Sequence, residues 1–137
     1  MYQTKKINNN FLKKKSKNIR KILIDLLFYA QSGHAGPSLS IIELLVYFYF
    51  SNNDHKDKNF KLILSKGHAV PAWYATLIEL GKLSKNNISK LRKINSKLQG
   101  HPDRNFMKEV DCGTGALGQG LSVAIGYAIG NKIKNQK

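Results

Sequence analysis

The sequence predicts an α/β fold with a parallel sheet flanked by helices, and three observations support this prediction. Apolar residues recur at helical spacing in several segments, the run FKLIL at 60–64 has the composition of a short strand, and glycine-rich loops separate these segments. Helices that alternate with strands, with loops at the strand ends, are typical of this class. A parallel sheet needs more strands than this one candidate, so we expect the front part of a larger domain.

The composition is that of a globular protein. The chain has 137 residues, of which 42% are hydrophobic, enough for one domain with a core. The longest apolar run, 41–50, contains Glu43 and is shorter than the ~18 residues that a membrane span needs. The N-terminal residues carry lysines without the hydrophobic segment of a secretory signal. A single cysteine, Cys112, excludes an internal disulfide and favours a reducing compartment, so we expect a cytoplasmic protein.

The chain is strongly basic, with a formal net charge of +15 from 23 basic and 8 acidic residues. One interpretation is an electrostatic surface for nucleic acid or another polyanion. The other is a biased composition, because lysine and asparagine are abundant together throughout the chain. We favour the bias, and nucleic-acid binding is the weaker hypothesis.

The first part of the chain predicts a tail and two helices. Residues 1–16 are polar and basic and are expected to form a flexible tail. Apolar residues from Ile19 to Ala30 follow helical spacing, and this helix is expected to end near Gly33. Ser40 and Glu43 have the spacing of a capping box, which predicts a second helix to about residue 50. Since this segment is apolar on most sides, we expect it to be buried in the domain or at an interface between subunits.

The rest of the chain predicts a strand and three helices. The strand candidate at 60–64 leads into the sequence SKGH, and a helix is expected over 69–80, with Pro71 in its first turn. A shorter helix is expected over 84–94, and 104–112 is expected to be irregular. A glycine cluster at 113–120 then precedes a last helix that is expected to end near residue 130.

Three of the 4 histidines lie in loops flanked by glycine: His34 in SGHAGPS, His68 in SKGHA and His101 in QGHPD. A single loop histidine is usually only an exposed residue, but three in such settings indicate a site. Histidine can transfer protons and donate hydrogen bonds to oxyanions near neutral pH. The remaining histidine, His55, lies among polar residues and is expected to be solvated.

A closed zinc site is not favoured, because the chain has no H-x-x-x-H pair and only one cysteine. Cys112 lacks a motif that would mark it as a nucleophile.

Residues 113–118 match the pattern G-x-G-x-x-G. A dinucleotide-binding site would require a clear preceding strand and an acidic residue about 20 positions later, and neither is present. Glycines nevertheless let backbone N–H groups approach phosphate oxygens, and the following helix N-terminus adds a favourable dipole. A diphosphate is therefore a sensible ligand, and the alternative is a tight turn whose glycines serve packing.

Four motifs in order carry a resemblance to a known family: SGHAGPSLS, LSKGHAVPAWYA, LQGHPD and TGALGQGLSVAIGYA. Together they resemble the N-terminal region of transketolase over residues 17–131, and the wording is similar to that of the separately encoded N-terminal subunit. Residues 17–137 are then expected to form part of a thiamine diphosphate-binding domain.

The resemblance implies an enzyme that uses thiamine diphosphate to move a two-carbon ketol unit from a ketose phosphate to an aldose phosphate. It implies that His34 faces the substrate and assists proton transfer, and that His101 hydrogen-bonds the donor's oxygens. The cofactor would contact the following residues: His68, Gly115, Ala116, Leu117 and Gly118.

The chain departs from the family pattern in places. Ala35 stands where proline is common, and Ala116 stands where proline or serine is common. Asp103 stands where many members have glutamate. The family's Gly-Asp-Gly…Asn segment, which holds Mg²⁺ or another divalent metal, would lie after residue 137. In members of the family, the glutamate that activates the cofactor lies on another domain, which binds the cofactor's pyrimidine ring. This chain alone is therefore expected to be inactive.

The resemblance implies a complementary transketolase polypeptide, an assembly into homo- or hetero-oligomers, and sugar phosphate substrates. No membrane partner is expected, because no apolar run is long enough to span a bilayer. The alternatives are a truncated, non-catalytic remnant that folds poorly or only binds a partner, and the nucleic-acid-binding module mentioned above. A deoxyxylulose phosphate synthase is a related alternative, but the motif wording fits transketolase better.

Overall fold

A computed structural model describes residues 8–51 and 61–134, and this part of the chain is helical. Two short 3₁₀ turns, Gly67–Ala69 and Lys85–Lys90, and a π-helical turn, Tyr47–Ser51, connect longer helices. The α-helices are α1 (Asn9–Ala30), α2 (Ala35–Leu39), α3 (Ile42–Val46), α4 (Val70–Glu79) and α5 (Gln119–Ile133). None of them is long and apolar enough to cross a membrane.

Helix α4 forms the centre of the core. Its sequence, VPAWYATLIE, is buried on every side from Val70 to Ile78. Helix α1 packs one apolar face against α4, and the buried residues of that face are Ile19, Ile22, Leu23 and Leu26. This is the face that the helical spacing predicts, so the periodicity of α1 is confirmed.

The predicted parallel sheet is wrong for the described residues, which contain no strand. Phe60 lies outside the described part, and residues 61–64 have no regular structure. Their backbone groups bond to side chains instead of to a neighbouring strand: the Leu64 carbonyl accepts from Thr114 Oγ1 at 2.6 Å, and the Leu62 N–H donates to Asp111 Oδ2 at 3.4 Å. A β-ladder requires a second extended segment at this position, and the described residues supply none.

Helix α1 begins earlier than expected. The side chain of Asn8 accepts from the Phe11 N–H at 3.1 Å and caps the helix, so residues 9–16 are helical rather than a loose tail. Lys15 in this segment is held by an ion pair with Glu79, 2.8 Å away, at the end of α4. Residues 1–7 lie outside the described part.

The capping box predicted at Ser40 and Glu43 does not form. The Ser40 hydroxyl donates to the Pro37 carbonyl at 2.9 Å, and no side chain caps α3. Glu43 instead accepts from Ser16 at 2.7 Å and pairs with Arg20 at 2.6 Å, which ties α3 to α1. These hydrogen bonds, with that from Arg20 the largest influence, lower the pKa of Glu43 to about 2.

The segment 41–50 is buried on only one side. Ile42, Leu45, Val46 and Tyr49 belong to the core, whereas Leu44 is 59% exposed. The shorter helix expected over 84–94 forms only as the 3₁₀ turn Lys85–Lys90, and Arg92 and Asn95 beyond it have positive φ.

Candidate functional site

Two of the three loop histidines lie side by side. The rings of His34 and His68 meet edge to face with their centroids 5.0 Å apart. His34 is presented by the turn between α1 and α2, where Gln31 is left-handed and Gly33 has a φ of +143°. L side chains rarely adopt this φ, so the turn requires glycine, and a Cβ on Gly33 would also displace the end of the Leu27 side chain. The spacing of 34 residues between the two histidines gave no sign of this contact.

The loop that carries His68 packs directly on the glycine segment at 113–120. A Cβ on Gly67 would lie 2.6 Å from the carbonyl oxygen of Thr114, and a Cβ on Gly120 would lie 2.6 Å from Cα of Ser65. Only glycine permits such a close approach of two backbones. His68 is therefore held at a fixed position relative to the N-terminus of α5.

The environment of His68 favours its neutral form. Partial burial lowers the pKa of His68, and electrostatic interactions with His34, Lys66 and His101 lower it further. A neutral imidazole carries one N–H donor and one acceptor. At neutral pH, His68 can therefore donate one hydrogen bond to an anionic oxygen while its other nitrogen accepts.

A pocket of about 480 Å³ lies between the loop of His101 and the glycine segment, lined by 99–103, 113–115 and Gln119. The two walls are joined where the Thr114 N–H donates to the Pro102 carbonyl at 3.3 Å. His34 and His68 do not line this pocket. His101 interacts electrostatically with His68, and His34 contacts His68, so the three histidines border one region.

The predicted cofactor residues at 115–118 form an exposed turn directly before α5. Gly115 has open space where a Cβ would be, Leu117 is 73% exposed, and Gly118 caps the helix with a φ of +86°. The turn leads into a helix of 15 residues, whose N-terminal dipole favours anions. The exposed backbone and the following helix together suit a phosphate group.

Contacts that the sequence analysis missed hold these loops together. Thr114 is buried, and its hydroxyl donates to the Leu64 carbonyl. Lys66 Nζ donates to Ser40 Oγ at 2.6 Å, joining the loop of His68 to the end of α2. The only sign in the sequence was that Thr114 is a polar, β-branched residue between two glycines.

Arg92 joins the loop of His34 to the loop of His101. Its Nη1 donates to Ser32 Oγ at 3.2 Å, beside the loop of His34. A Cβ on Gly100 would lie 3.2 Å from Arg92 Nε, so the guanidinium also lies against the loop of His101. Nothing in the spacing of Arg92 predicted this position.

The described residues bring together no group of three or more His, Cys, Asp or Glu side chains that could hold a metal ion. His55 lies outside the described part. Cys112 is half-buried, and its thiol donates to the neighbouring Gly113 carbonyl at 3.2 Å.

Comparison with known proteins gives a family match over nearly the whole chain. Residues 12–137 match the model of the family described as "Transketolase, thiamine diphosphate binding domain". An apulose-4-phosphate transketolase subunit of Actinobacillus succinogenes is 38% identical over 133 residues, which cover 92% of this chain and 48% of that protein. The subunit of the same name from Phocaeicola vulgatus is 34% identical over 89% of this chain and 45% of its own length.

Single-chain relatives match as well. Human transketolase is 36% identical over 127 residues, which cover 88% of this chain and 20% of the human protein. The chain thus spans about half the length of the two curated apulose-4-phosphate transketolase subunits it matches and about a fifth of the single-chain enzyme.

Proposed function

This chain belongs to the transketolase family, and from that membership we propose that it supplies part of the active site of an enzyme that transfers a two-carbon ketol unit between sugar phosphates. The observation that carries the proposal is the meeting of the histidine loops with the glycine segment at the N-terminus of α5. A family member needs these groups together, since one part binds the cofactor and the other acts on the substrate.

The residues fit thiamine diphosphate. The pocket of about 480 Å³ lies within the range of about 300–1,000 Å³ that is typical of ligand sites. Gly115 leaves open the space that a side chain would fill, so a ligand can lie against the backbone there. Ala116, Leu117 and Gly118 continue this exposed surface to the start of α5.

When bound, thiamine diphosphate supplies a nucleophilic carbon and an electron sink for the ketose carbonyl. The chain's own groups hold and orient the cofactor and the substrate, and they move protons. His68, neutral and fixed against the glycine segment, donates a hydrogen bond to a diphosphate oxygen. The dipole of α5 adds attraction for the same anion.

His34 and His101 act on the substrate side of the site. His34 is exposed and lies beside His68, so its free ring nitrogen can take a proton from a substrate hydroxyl. His101 is exposed at the wall of the pocket, and it donates a hydrogen bond to an oxygen of the ketose donor. The stiff flanks of His101, Gly100 and Pro102, preorganise its loop for this contact.

Sugar phosphates are the proposed substrate class. Two relatives are named for apulose-4-phosphate, which is a phosphorylated sugar. We extend the class, not that particular compound, to this chain.

A complementary transketolase polypeptide is the proposed partner, because relatives that are named as one subunit of a transketolase imply a second subunit. Mg²⁺ or another divalent metal is the proposed companion of the cofactor. An oligomer of two such pairs, a cytoplasmic location supported by the single cysteine, and a role in pentose phosphate metabolism complete the proposal.

Isothermal titration with thiamine diphosphate and magnesium tests the assignment, with the complementary polypeptide present. Gly115→Ala should leave the fold intact, because nothing lies within 4 Å of the added carbon, yet it should weaken cofactor binding at least about tenfold by pushing the ligand off the backbone. His68→Gln should weaken binding similarly.

The control is Ile94→Ala, at a side chain that is 93% exposed and outside the pocket. It should bind thiamine diphosphate like the unmodified chain. Equal affinity of Gly115→Ala and the unmodified chain, at equal thermal midpoints, would contradict the proposed cofactor site. Absence of binding by every variant, partner included, would favour a non-catalytic remnant.

A further inference from the structure

Arg92 holds a backbone conformation that residues with a side chain rarely adopt. Its φ is +60°, in the left-handed region, which costs about 1–3 kcal/mol for a residue other than glycine. The Arg92 N–H donates to the Leu98 carbonyl at 2.8 Å, and Leu91 and Leu98 are both fully buried, so the surrounding structure fixes this turn. A strained residue that its surroundings hold in place indicates a function for that residue.

The Arg92 guanidinium lies between the loops of His34 and His101. Its Nη1 donates to Ser32 Oγ at 3.2 Å, and Ser32 precedes His34 by two residues. A Cβ on Gly100 would lie 3.2 Å from Arg92 Nε, and Gly100 directly precedes His101. One rigid, planar group thus contacts the flanks of both histidines that the proposed function assigns to the substrate.

Stability alone does not explain this arginine. Arg92 Nε is buried and has no hydrogen-bond partner among the described residues, and a buried polar group without a partner costs about 1–3 kcal/mol. The bond from Nη1 to the Ser32 hydroxyl is exposed. A hydrogen bond to a charged group contributes about 1.5–3 kcal/mol, and less where water screens the charge. The strain and the unpartnered Nε together cost at least as much as this bond contributes.

Arg92 does not line the pocket beside it. The pocket is lined by 99–103, 113–115 and Gln119. The loop of His101 forms one wall of this pocket, and the guanidinium lies against that loop at Gly100. Arg92 therefore acts through the loops that it contacts rather than on a ligand in this pocket.

We infer that Arg92 is a positioning residue that holds the His34 loop and the His101 loop at a fixed separation, so that both histidines face the same substrate. This inference rests on the proposed function and deepens it, because it names the group that sets the relative position of two histidines far apart in the sequence. Such preorganisation matters, since a misplacement of about 1 Å can slow a reaction about 100-fold.

NMR of the histidine rings in the chain itself tests the inference. Arg92→Gly relieves the left-handed strain and removes the guanidinium. The thermal midpoint should change little, because the relief of strain offsets the lost bond to Ser32. The ring signals of His34 and His101 should shift, and His34→Gln and His101→Gln assign these signals. Guanidinium ion, added below the concentration that unfolds the chain, should restore the signals in Arg92→Gly.

The matched control is Asn95→Gly. Asn95 is exposed and is also left-handed, with a φ of +62°. The substitution makes the same backbone change three residues further along and leaves the guanidinium in place. The ring signals of His34 and His101 should therefore stay as they are in the unmodified chain.

The kinetics of the enzyme assembled with its complementary polypeptide separate positioning from cofactor binding. Arg92→Gly should lower kcat at least about tenfold. The affinity for thiamine diphosphate should not change, since the contacts of Arg92 with the histidine loops lie at Ser32 and Gly100 and not in the glycine segment. Arg92→Lys keeps the charge but lacks the planar fork, so it should recover only part of the lost rate.

Unshifted ring signals in Arg92→Gly would overturn the inference, whatever the chain binds. Equal shifts in Asn95→Gly would also overturn it, and so would a lower thermal midpoint without any shift, which would leave Arg92 a structural role only. Thiamine diphosphate titration separates the two proposals. Shifted signals in Arg92→Gly, with no cofactor binding by the unmodified complex, would support the positioning of the loops and refute the proposed function. Cofactor binding without shifted signals would support the function and refute the positioning.

Discussion

His68 is the residue whose charge state reports most directly on the site. Its pKa lies below the ordinary value of 6.5 because partial burial and electrostatic interactions with His34, Lys66 and His101 disfavour the imidazolium. A bound diphosphate should raise this pKa, because an anion beside the ring stabilises the protonated form. An NMR titration of the ring protons with inorganic diphosphate measures the change, and His68→Gln assigns the signal.

The same shift predicts how stability depends on pH. Between the lowered pKa of the folded chain and 6.5, the unfolded chain binds more protons at this position. The contribution of His68 is therefore complete above pH 6.5 and is lost as the pH falls through the folded pKa. The thermal midpoint should drop more between pH 7.5 and 5.5 for the unmodified chain than for His68→Gln. An equal drop in both would contradict this.

The occurrence of three glycine-flanked loop histidines was enough to single out His34, His68 and His101, although one such histidine alone would indicate little. Their catalytic and cofactor roles stay predictions. The contact between His34 and His68 could not be predicted, since it depends on how α2 and the loop before α4 pack. Arg92 was missed for the same reason: its partners, Ser32 and Gly100, come together only in the folded chain.

At the scale of elements, one buried hydrogen bond joins the π-helical turn to the central helix. Trp73 Nε1 donates to the Tyr49 hydroxyl at 2.9 Å, and both side chains are buried. Burial raises the pKa of Tyr49 to about 12, so its hydroxyl stays protonated over the whole physiological range. This bond fixes the end of the segment 41–50 against α4.

Tyr49→Phe should lower the free energy of unfolding by about 1–3 kcal/mol, because it removes a buried acceptor from the Trp73 N–H. Urea unfolding followed by tryptophan fluorescence measures the loss. The control is Tyr47→Phe, at a side chain that is 45% exposed, which should change stability by less than about 0.5 kcal/mol. A similar loss in both variants would show that this bond is not the cause.

Helices with a clear apolar period were predictable, whereas the lack of a strand at 61–64 was not. The spacing of Ile19, Ile22, Leu23 and Leu26 predicted the buried face of α1 because a helix packed on one side needs that period. A run of five residues such as FKLIL carries too little periodicity to show whether a partner strand exists. The capping box failed because the Glu43 carboxylate is held by Arg20 and Ser16 on α1.

At the scale of the whole molecule, Thr114 joins the glycine segment to two loops, one at 64–67 and one at Pro102. Its hydroxyl bonds to Leu64, its N–H bonds to Pro102, and its carbonyl lies against Gly67. One buried residue, through its side chain and its backbone, thus joins the loops of His68 and His101 to the glycine segment.

Thr114→Val keeps the shape of the side chain but removes the donor to the buried Leu64 carbonyl. We expect the free energy of unfolding in urea to fall by about 1–3 kcal/mol. Thr114→Ser retains the hydroxyl and should lose less. If the serine variant proved the less stable of the two, packing of the methyl group and not the hydrogen bond would hold these segments.

The predicted fold class was the largest error, and this error also concerns the whole molecule. The prediction of a sheet relied on alternation of helices and strands, whereas the described residues contain no strand. The family was predictable, because four motifs in order are specific, and the comparisons confirm it.

The contacts of Gly67 and Gly120 limit how this molecule can change over generations. A clash between two side chains can be relieved when a later substitution makes one of them smaller. At Gly67 and Gly120 the nearest atoms belong to the backbone of Thr114 and Ser65, which every amino acid carries. No second substitution at Thr114 or Ser65 removes those atoms, so a larger residue at Gly67 or Gly120 cannot be compensated by a change in the residue that it would contact.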